Sequence, residues 1–348
     1  MNRATMEEES AANDSAANGS SPVTFPGTDL LQRYKPFFIL LYGALVAVAC
    51  LGNAFLIGCI AADKKLHNAT NFFIGNLSAA DLLMCLCCVP LTLSYAFEPR
   101  GWLYGGFMCH LTSLLQSAIV YVSVLSLTAI AVDRYMLVAH PIRRRTSRRW
   151  FGLTTATIWL VSLSLASPAA IHTTYQELPA IGFSACGESW PASEGQKIAY
   201  SCTILLVSYM LPLSAVIVSY CAITVHLKRR GSLEESGRDP AHWGKRKRRT
   251  FLLLVVSALV FGISWLPLQL LNLIIDLDTK LTILNYHHIK VLHLSCHWLA
   301  MSSSCYNPFI YASLHRKFRL RLRDYVQRRR RKGSFVSNVL SPAAPTSS

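Results

Sequence analysis

Residues 36–62 read PFFILLYGALVAVACLGNAFLIGCIAA, an uninterrupted run without one acidic or basic side chain. About 20 apolar residues are enough for a helix to cross the hydrocarbon core of a bilayer, so this run predicts a membrane span. Six further apolar stretches follow near 71–96, 107–138, 150–172, 198–227, 250–275 and 288–314. The whole chain agrees: of 348 residues, 52% are hydrophobic and 15% charged, where a soluble domain carries about 25% charged residues. Seven spans joined by short loops leave no room for a second domain. The expected architecture is an all-α membrane protein, a seven-transmembrane helix bundle over 36–314.

Charge gives the orientation, because lysine and arginine stay on the cytoplasmic side of short loops. Segments 63–70, 133–149, 228–249 and 315–348 carry 27 of the 34 basic residues. The same segments hold 6 acids, against 11 in the N-terminal tail and the other loops. The N-terminus is therefore expected outside the cell, in a multi-pass protein of the plasma membrane, with the first span as its uncleaved insertion signal. The formal net charge of +16 then says nothing of nucleic acid. The runs Lys245 to Arg249 and Arg328 to Lys332 are expected to lie against anionic inner-leaflet lipid.

Most of the 11 cysteines fall inside apolar spans, where they act as small hydrophobes. Only Cys109 and Cys186 fall at the outer boundary, in an oxidising compartment, and they are the expected disulfide. Residues 1–35, rich in Ser, Ala, Asn and acid, read as a disordered extracellular tail with glycosylation acceptors at Asn13 and Asn18. Asn68 and Asn76 match the same pattern on the inner side and within the membrane. After the seventh span, Phe318, Leu322 and Tyr325 share one face of an arginine-rich segment. Residues 315–331 are thus expected to form a short amphipathic membrane-surface helix, followed by a disordered cytoplasmic tail over 332–348 whose serines and threonines are candidate phosphorylation sites for arrestin.

Certain residues recur once per span and in order: Asn53, Asp81, Asp133-Arg134-Tyr135, Trp159, Pro212 with Tyr220, Ser264-Trp265-Leu266-Pro267, and Asn307-Pro308-Phe309-Ile310-Tyr311. This set resembles the rhodopsin-like (class A) G-protein-coupled receptors over roughly 36–330. The resemblance implies a receptor, not an enzyme, that couples to a heterotrimeric G protein. Asp81 is the one carboxylate deep in a span, and buried charge in a membrane marks function. The resemblance implies that Asp81, Ser123, Ser303 and Asn307 converge on an allosteric sodium ion, with a water-filled polar cavity as the alternative; no other cofactor is expected. Pro212, Pro267 and Pro308 each remove a helix hydrogen bond and bend the span that carries them. Trp265 and Phe261 are expected one and two turns below the ligand chamber, where pressure on Trp265 would swing span six. Arg134, paired with Asp133 at rest, would then be freed toward the G protein beside Tyr220 and Tyr311.

Ligand classes separate on single positions. Met301 stands where an opsin needs lysine, and Gln116 where an amine receptor needs aspartate. A transporter is the runner-up class, yet the halves show no internal repeat, and an intramembrane aspartyl protease would need a partner for Asp81. Leu66 to Phe72, Cys88 to Trp102, Ile130 to Tyr135 and Cys296 to Ala312 resemble receptors for neuropeptide Y-like and Arg-Phe-amide peptides, and especially those for prolactin-releasing peptide. Thr92, Gln116 and His297 match the positions that hold the C-terminal amide in that group. Trp265, Gln269, Asn272 and Asp276 fall at i, i+4, i+7 and i+11 on one face of span six. Asp276 is therefore expected at the pocket mouth with Glu188, as partner for an arginine of the peptide.

Overall fold

The computed structural model describes residues 28–139, 148–190, 194–210, 212–219, 221, 222, 225, 240–278, 286–314, 323 and 327. Span one is Lys35–Ala62, with Pro36 in its first turn, where a missing N–H costs nothing. Span two starts at Ala69 behind an Asn68 cap, whose side chain accepts the Asn71 N–H at 3.0 Å. It runs to Leu83, widens to a π turn at Met84–Cys88 and continues as Val89–Phe97. Span three is Gly105–Ala139, span four Arg148–Ile171, span six Pro240–Leu277 and span seven Tyr286–Leu314. Span five begins as Glu194–Leu205, passes a π turn at Leu206–Met210 and continues through 212–219. Each π turn ends two residues before a proline, Pro90 or Pro212. The extra residue per turn takes up the mismatch that a ring without an N–H creates.

The bundle is polar at its centre and apolar on its surface. Leu51 is 74% exposed, and Leu40, Leu86, Ile171 and Ile263 also face outward, an arrangement stable only against lipid. Inside, Asn53, Asp81, Ser126, Ser162 and His297 are buried beside Tyr42, Ile74, Leu77, Val122 and Met301. Among the described residues, five helices are long and apolar enough to cross a membrane on length and composition: spans one, two, three, four and six. Span seven, which holds Ser302, Ser303, Ser304 and Asn307, is not one of them. Span one packs tightly on span seven: a Cβ built on Gly52 would stand 2.8 Å from the Pro308 ring.

Two elements depart from the sequence reading. The second outer loop is a hairpin, β1 Thr173–Leu178 against β2 Phe183–Glu188, with Thr173 opposite Glu188 and Leu178 opposite Phe183. The first outer loop pairs with it: Trp102 N–H donates to the Ser184 carbonyl at 2.8 Å, and Ser184 N–H to the Arg100 carbonyl at 2.9 Å. Gly101 between them has φ +77°, and any Cβ there would fall on the Ser184 carbonyl, so the position needs glycine. The second departure lies within 1–35. Thr28–Arg33 is a short helix, with Leu31 buried and Gln32 Nε2 donating to the Phe97 carbonyl at 3.1 Å; one apolar side chain and one backbone acceptor fix what composition alone reads as tail. Asn13, Asn18, Tyr220 and the tail at 332–348 lie outside the described residues. So does the surface segment 315–331, apart from Arg323 and Gln327, both helical.

Candidate functional site

A cavity of about 410 Å³ opens between the outer halves of spans two, three, five, six and seven, under β2. Cys109, on span three, and Cys186, on β2, are joined as a disulfide with Cα atoms 5.8 Å apart. β1 is tied to the same span by Thr173 Oγ1, 2.8 Å from Ser113 Oγ. The hairpin is thereby fixed as a roof, and Glu188 at its end lines the cavity. Thr92, Gln116, Gln269, Asn272 and His297 line it as well. Six of the seven expected ligand residues are therefore together.

The inner part of the cavity is a directed chain of neutral hydrogen bonds. Thr92 Oγ1 donates to Gln116 Oε1 at 3.5 Å, and Gln116 Nε2 lies 3.2 Å from His297 Nε2. His297 Nδ1 lies 2.8 Å from the Tyr42 hydroxyl, which donates its one proton to the Leu294 carbonyl at 3.0 Å. With that proton on the Leu294 carbonyl, Tyr42 accepts from Nδ1–H and His297 Nε2 accepts from Gln116, the tautomer that satisfies all three contacts. One Gln116 N–H and lone pairs on Thr92 and Gln116 remain to face the cavity. Tyr42 was not anticipated; a lone tyrosine in an apolar run is the signal that could have found it.

The acidic mouth differs from expectation. Asp276 does not line the cavity. Its carboxylate takes Lys197 Nζ at 2.6 Å and the Ser201 hydroxyl at 2.7 Å, both from span five. The i+11 register gives the correct face of span six, but three turns above Trp265 that face meets the start of span five. Glu188 is the acid at the opening, accepting the Trp190 indole N–H at 3.3 Å. Trp190 is itself held by the His172 ring, stacked at 3.8 Å and 7°. Although Glu188 is exposed, the protein crowded round its carboxyl raises its pKa through desolvation; the Trp190 bond and Lys197 oppose this, and Asp276 adds to it.

Below the cavity the polar contacts continue. Trp265 lines the cavity floor instead of lying a turn beneath it, and Phe261 stacks against it with ring centroids 5.8 Å apart. Trp265 Nε1 donates to Ser303 Oγ at 3.1 Å, and Ser303 donates to the Ala300 carbonyl at 2.7 Å. Asn307 Nδ2 donates to Asp81 Oδ2 at 2.9 Å. Of the four oxygen-bearing residues expected together, Asp81 and Asn307 are bonded, Ser123 is buried, and Ser303 is turned to Trp265. These hard oxygen donors suit a small cation, and Asp81 has no ion pair among the described residues. At the inner end Arg134 Nη2 stands 3.5 Å from Asp133 Oδ2, which also accepts from Thr70 Oγ1 at 2.8 Å. Tyr311 is buried nearby on span seven, Tyr135 follows Arg134 on span three, and Pro212, Pro267 and Pro308 lie within their helical spans. Asn76, which matches the glycosylation pattern from within the membrane, joins three spans by donating to Ser126 at 2.9 Å and accepting from Trp159 at 3.0 Å.

Comparison with known proteins agrees with this geometry. The model of the family "7 transmembrane receptor (rhodopsin family)" matches residues 52–311. The human neuropeptide Y receptor type 2 is 34% identical over 303 residues, covering 86% of this chain and 78% of that protein. The mouse receptor of the same name is 33% identical over 294 residues, 83% of this chain and 76% of its own length. The neuropeptide F receptor of Drosophila melanogaster is 35% identical over 311 residues, 83% of this chain and 62% of its own. A bundle roofed by a disulfide-tied hairpin, with an arginine paired to its neighbouring aspartate at the inner end, thus comes with a family match across most of its length: the chain belongs to the rhodopsin-like G-protein-coupled receptors.

Proposed function

We propose that this receptor is activated by a short, C-terminally amidated peptide with an arginine near its C-terminus. The observation that carries this reading is a neutral hydrogen-bonding floor, Thr92, Gln116, His297 and Tyr42, beneath an acidic mouth at Glu188. A terminal amide is uncharged and offers both donors and acceptors, which matches the groups left free on Thr92 and Gln116. A guanidinium one or two residues back then reaches the mouth, drawn by an excess of acid on the outer segments. The likeness of residues 88–102 to receptors for Arg-Phe-amide peptides favours a ligand like prolactin-releasing peptide. The named relatives, receptors for neuropeptides Y and F, favour a neuropeptide Y-like ligand.

In this reading the N-terminus is extracellular, and ligand pressing on Trp265 rotates span six about Pro267. Arg134 leaves Asp133 and meets the heterotrimeric G protein, together with Tyr220 and Tyr311. Asp81, Ser123, Ser303 and Asn307 hold a sodium ion that stabilises the resting form, the phosphorylated tail recruits arrestin, and the basic surface helix binds anionic lipid. The test is a calcium and cyclic-AMP assay of cells expressing the receptor, against amidated peptides of both kinds and their free-acid forms. An amidated peptide should activate, and its free acid should be at least about tenfold weaker, equivalent to ~1.4 kcal/mol. Activation by a lipid or an amine, with silence toward every peptide, would overturn the reading.

A further inference from the structure

Lys197 and Ser201 are four residues apart on span five and reach the same carboxylate on span six, so both Asp276 oxygens are taken from the neighbouring helix. The Asp276 side chain keeps 9% of its exposure and the Lys197 side chain 22%. Glu188 stands across the opening, on the cavity wall, with no ion pair among the described residues. Lys197 and Asp276 both act electrostatically on it. Among the described residues, Glu188 at the opening and the Asp276–Lys197 pair beside it act on one another and together carry one negative charge. A cation that enters the cavity meets Glu188 first, because Asp276 is already covered.

We propose that Lys197 is a built-in competitor of the peptide's arginine: its ammonium caps Asp276 in the unliganded receptor, the guanidinium lands on Glu188, and it reaches Asp276 only by displacing Lys197. This rests on the amidated-peptide reading above. The exchange is chemically asymmetric. A guanidinium offers a planar fork that fits both oxygens of a carboxylate, whereas an ammonium binds as a point charge. The partly exposed lysine, on a flexible stem, can turn its head into water once displaced. Lys197 therefore lowers the receptor's affinity for every cationic ligand, and it favours arginine over lysine in the peptide because only arginine has the fork that completes the exchange.

The test compares wild type, Lys197→Gln, Lys197→Arg and Lys197→Gln/Asp276→Asn at matched surface expression. Each receives the activating amidated peptide and its citrulline analogue, which keeps the shape of arginine without the charge. Lys197→Gln should raise the potency of the arginine peptide roughly three- to tenfold, leave the citrulline peptide unchanged, and lose its gain when Asp276→Asn is added. Lys197→Arg, which caps Asp276 with the better fork, should lower potency; it decides the matter alone if Lys197→Gln fails to reach the surface. A wild type that answers the arginine peptide, with no gain in Lys197→Gln or no loss in Lys197→Arg, overturns the proposal. An equal gain for the citrulline peptide overturns it too, since the bridge would then only tie two helices. A wild type silent to all amidated peptides refutes the ligand reading instead.

Discussion

Glu188 gives up its proton less readily than a free glutamate, because desolvation at the roof outweighs the help of Trp190 and Lys197. A guanidinium binds only the ionised form, and its arrival pulls the pKa back down. Binding is therefore at full strength above the raised free-receptor pKa and weakens as pH falls through it. Binding of a labelled peptide to membranes should fall as the buffer is taken from neutral to mildly acidic, and Glu188→Gln, weaker at neutral pH, should flatten that slope. Lys197, Asp276 and His172 also act on this carboxyl, and equal slopes in wild type and Glu188→Gln would show that Glu188 is not the group responsible. At this scale the sequence shows which residues share a face but not what stands opposite. Gln269 and Asn272 follow from helical spacing. Asp276 obeys the same spacing, yet its neighbour Lys197 lies 79 residues earlier in the chain, in a span that no local pattern ties to it. Tyr42 and Trp190 are hidden for a similar reason, since an isolated aromatic in an apolar run or a loop reads as packing until its hydrogen-bond partner is known.

Between elements, the contact of span one with the bend of span seven reverses an ordinary rule. Alanine normally stabilises a helix interior over glycine by roughly 0.5–1 kcal/mol, and Gly43, with nothing within 4 Å of its would-be Cβ, should follow that rule. At Gly52 the added carbon meets the Pro308 ring at 2.8 and 3.0 Å, and overpacking of this sort costs about 1–3 kcal/mol. Thermal melting of the purified receptor should show Gly52→Ala less stable than wild type and Gly43→Ala unchanged or more stable. Should Gly52→Ala melt no lower than Gly43→Ala, the close approach is not a constraint. The described span ends were legible to within a few residues, because bilayer thickness sets the apolar length, except that the helix of span six starts at Pro240, ten residues before its apolar stretch. The hairpin was not, although a Pro179 to Gly182 turn between two short runs is its trace in the sequence. Its second pairing, with residues 100–102, is non-local and leaves no periodicity to read. The π turns were equally hidden: a proline marks a bend, but not whether an extra residue is inserted ahead of it.

Taken whole, the molecule keeps its polar side chains in a seam that descends from Gln116 and His297 through Trp265 and Ser303 to Asn307 and Asp81. Asn53 joins it from the side, donating to the Ser304 carbonyl at 2.9 Å. Class and architecture were readable because hydropathy is set by the bilayer, not by tertiary contacts. Span seven supplies much of the seam, and among the described residues it is a continuous helix that is not one of the five long and apolar enough, on length and composition, to cross a membrane. A polar group in hydrocarbon is costly unless a neighbour satisfies it, and the partners of Asn307, Ser303 and His297 lie on spans two, six, three and one. During synthesis this segment should therefore fail to leave the insertion channel as an isolated rod and be retained until the earlier helices have assembled a surface to receive it. In microsomes, glycosylation mapping should show span seven integrating poorly as a lone test segment, span one integrating fully, and span seven integrating well when spans one to six precede it. Equal integration of the two lone segments would contradict this order. The residues that give the folded receptor its polar interior would thus make its last helix a passenger, and biogenesis, more than finished stability, would be the step most sensitive to substitutions along the receiving face.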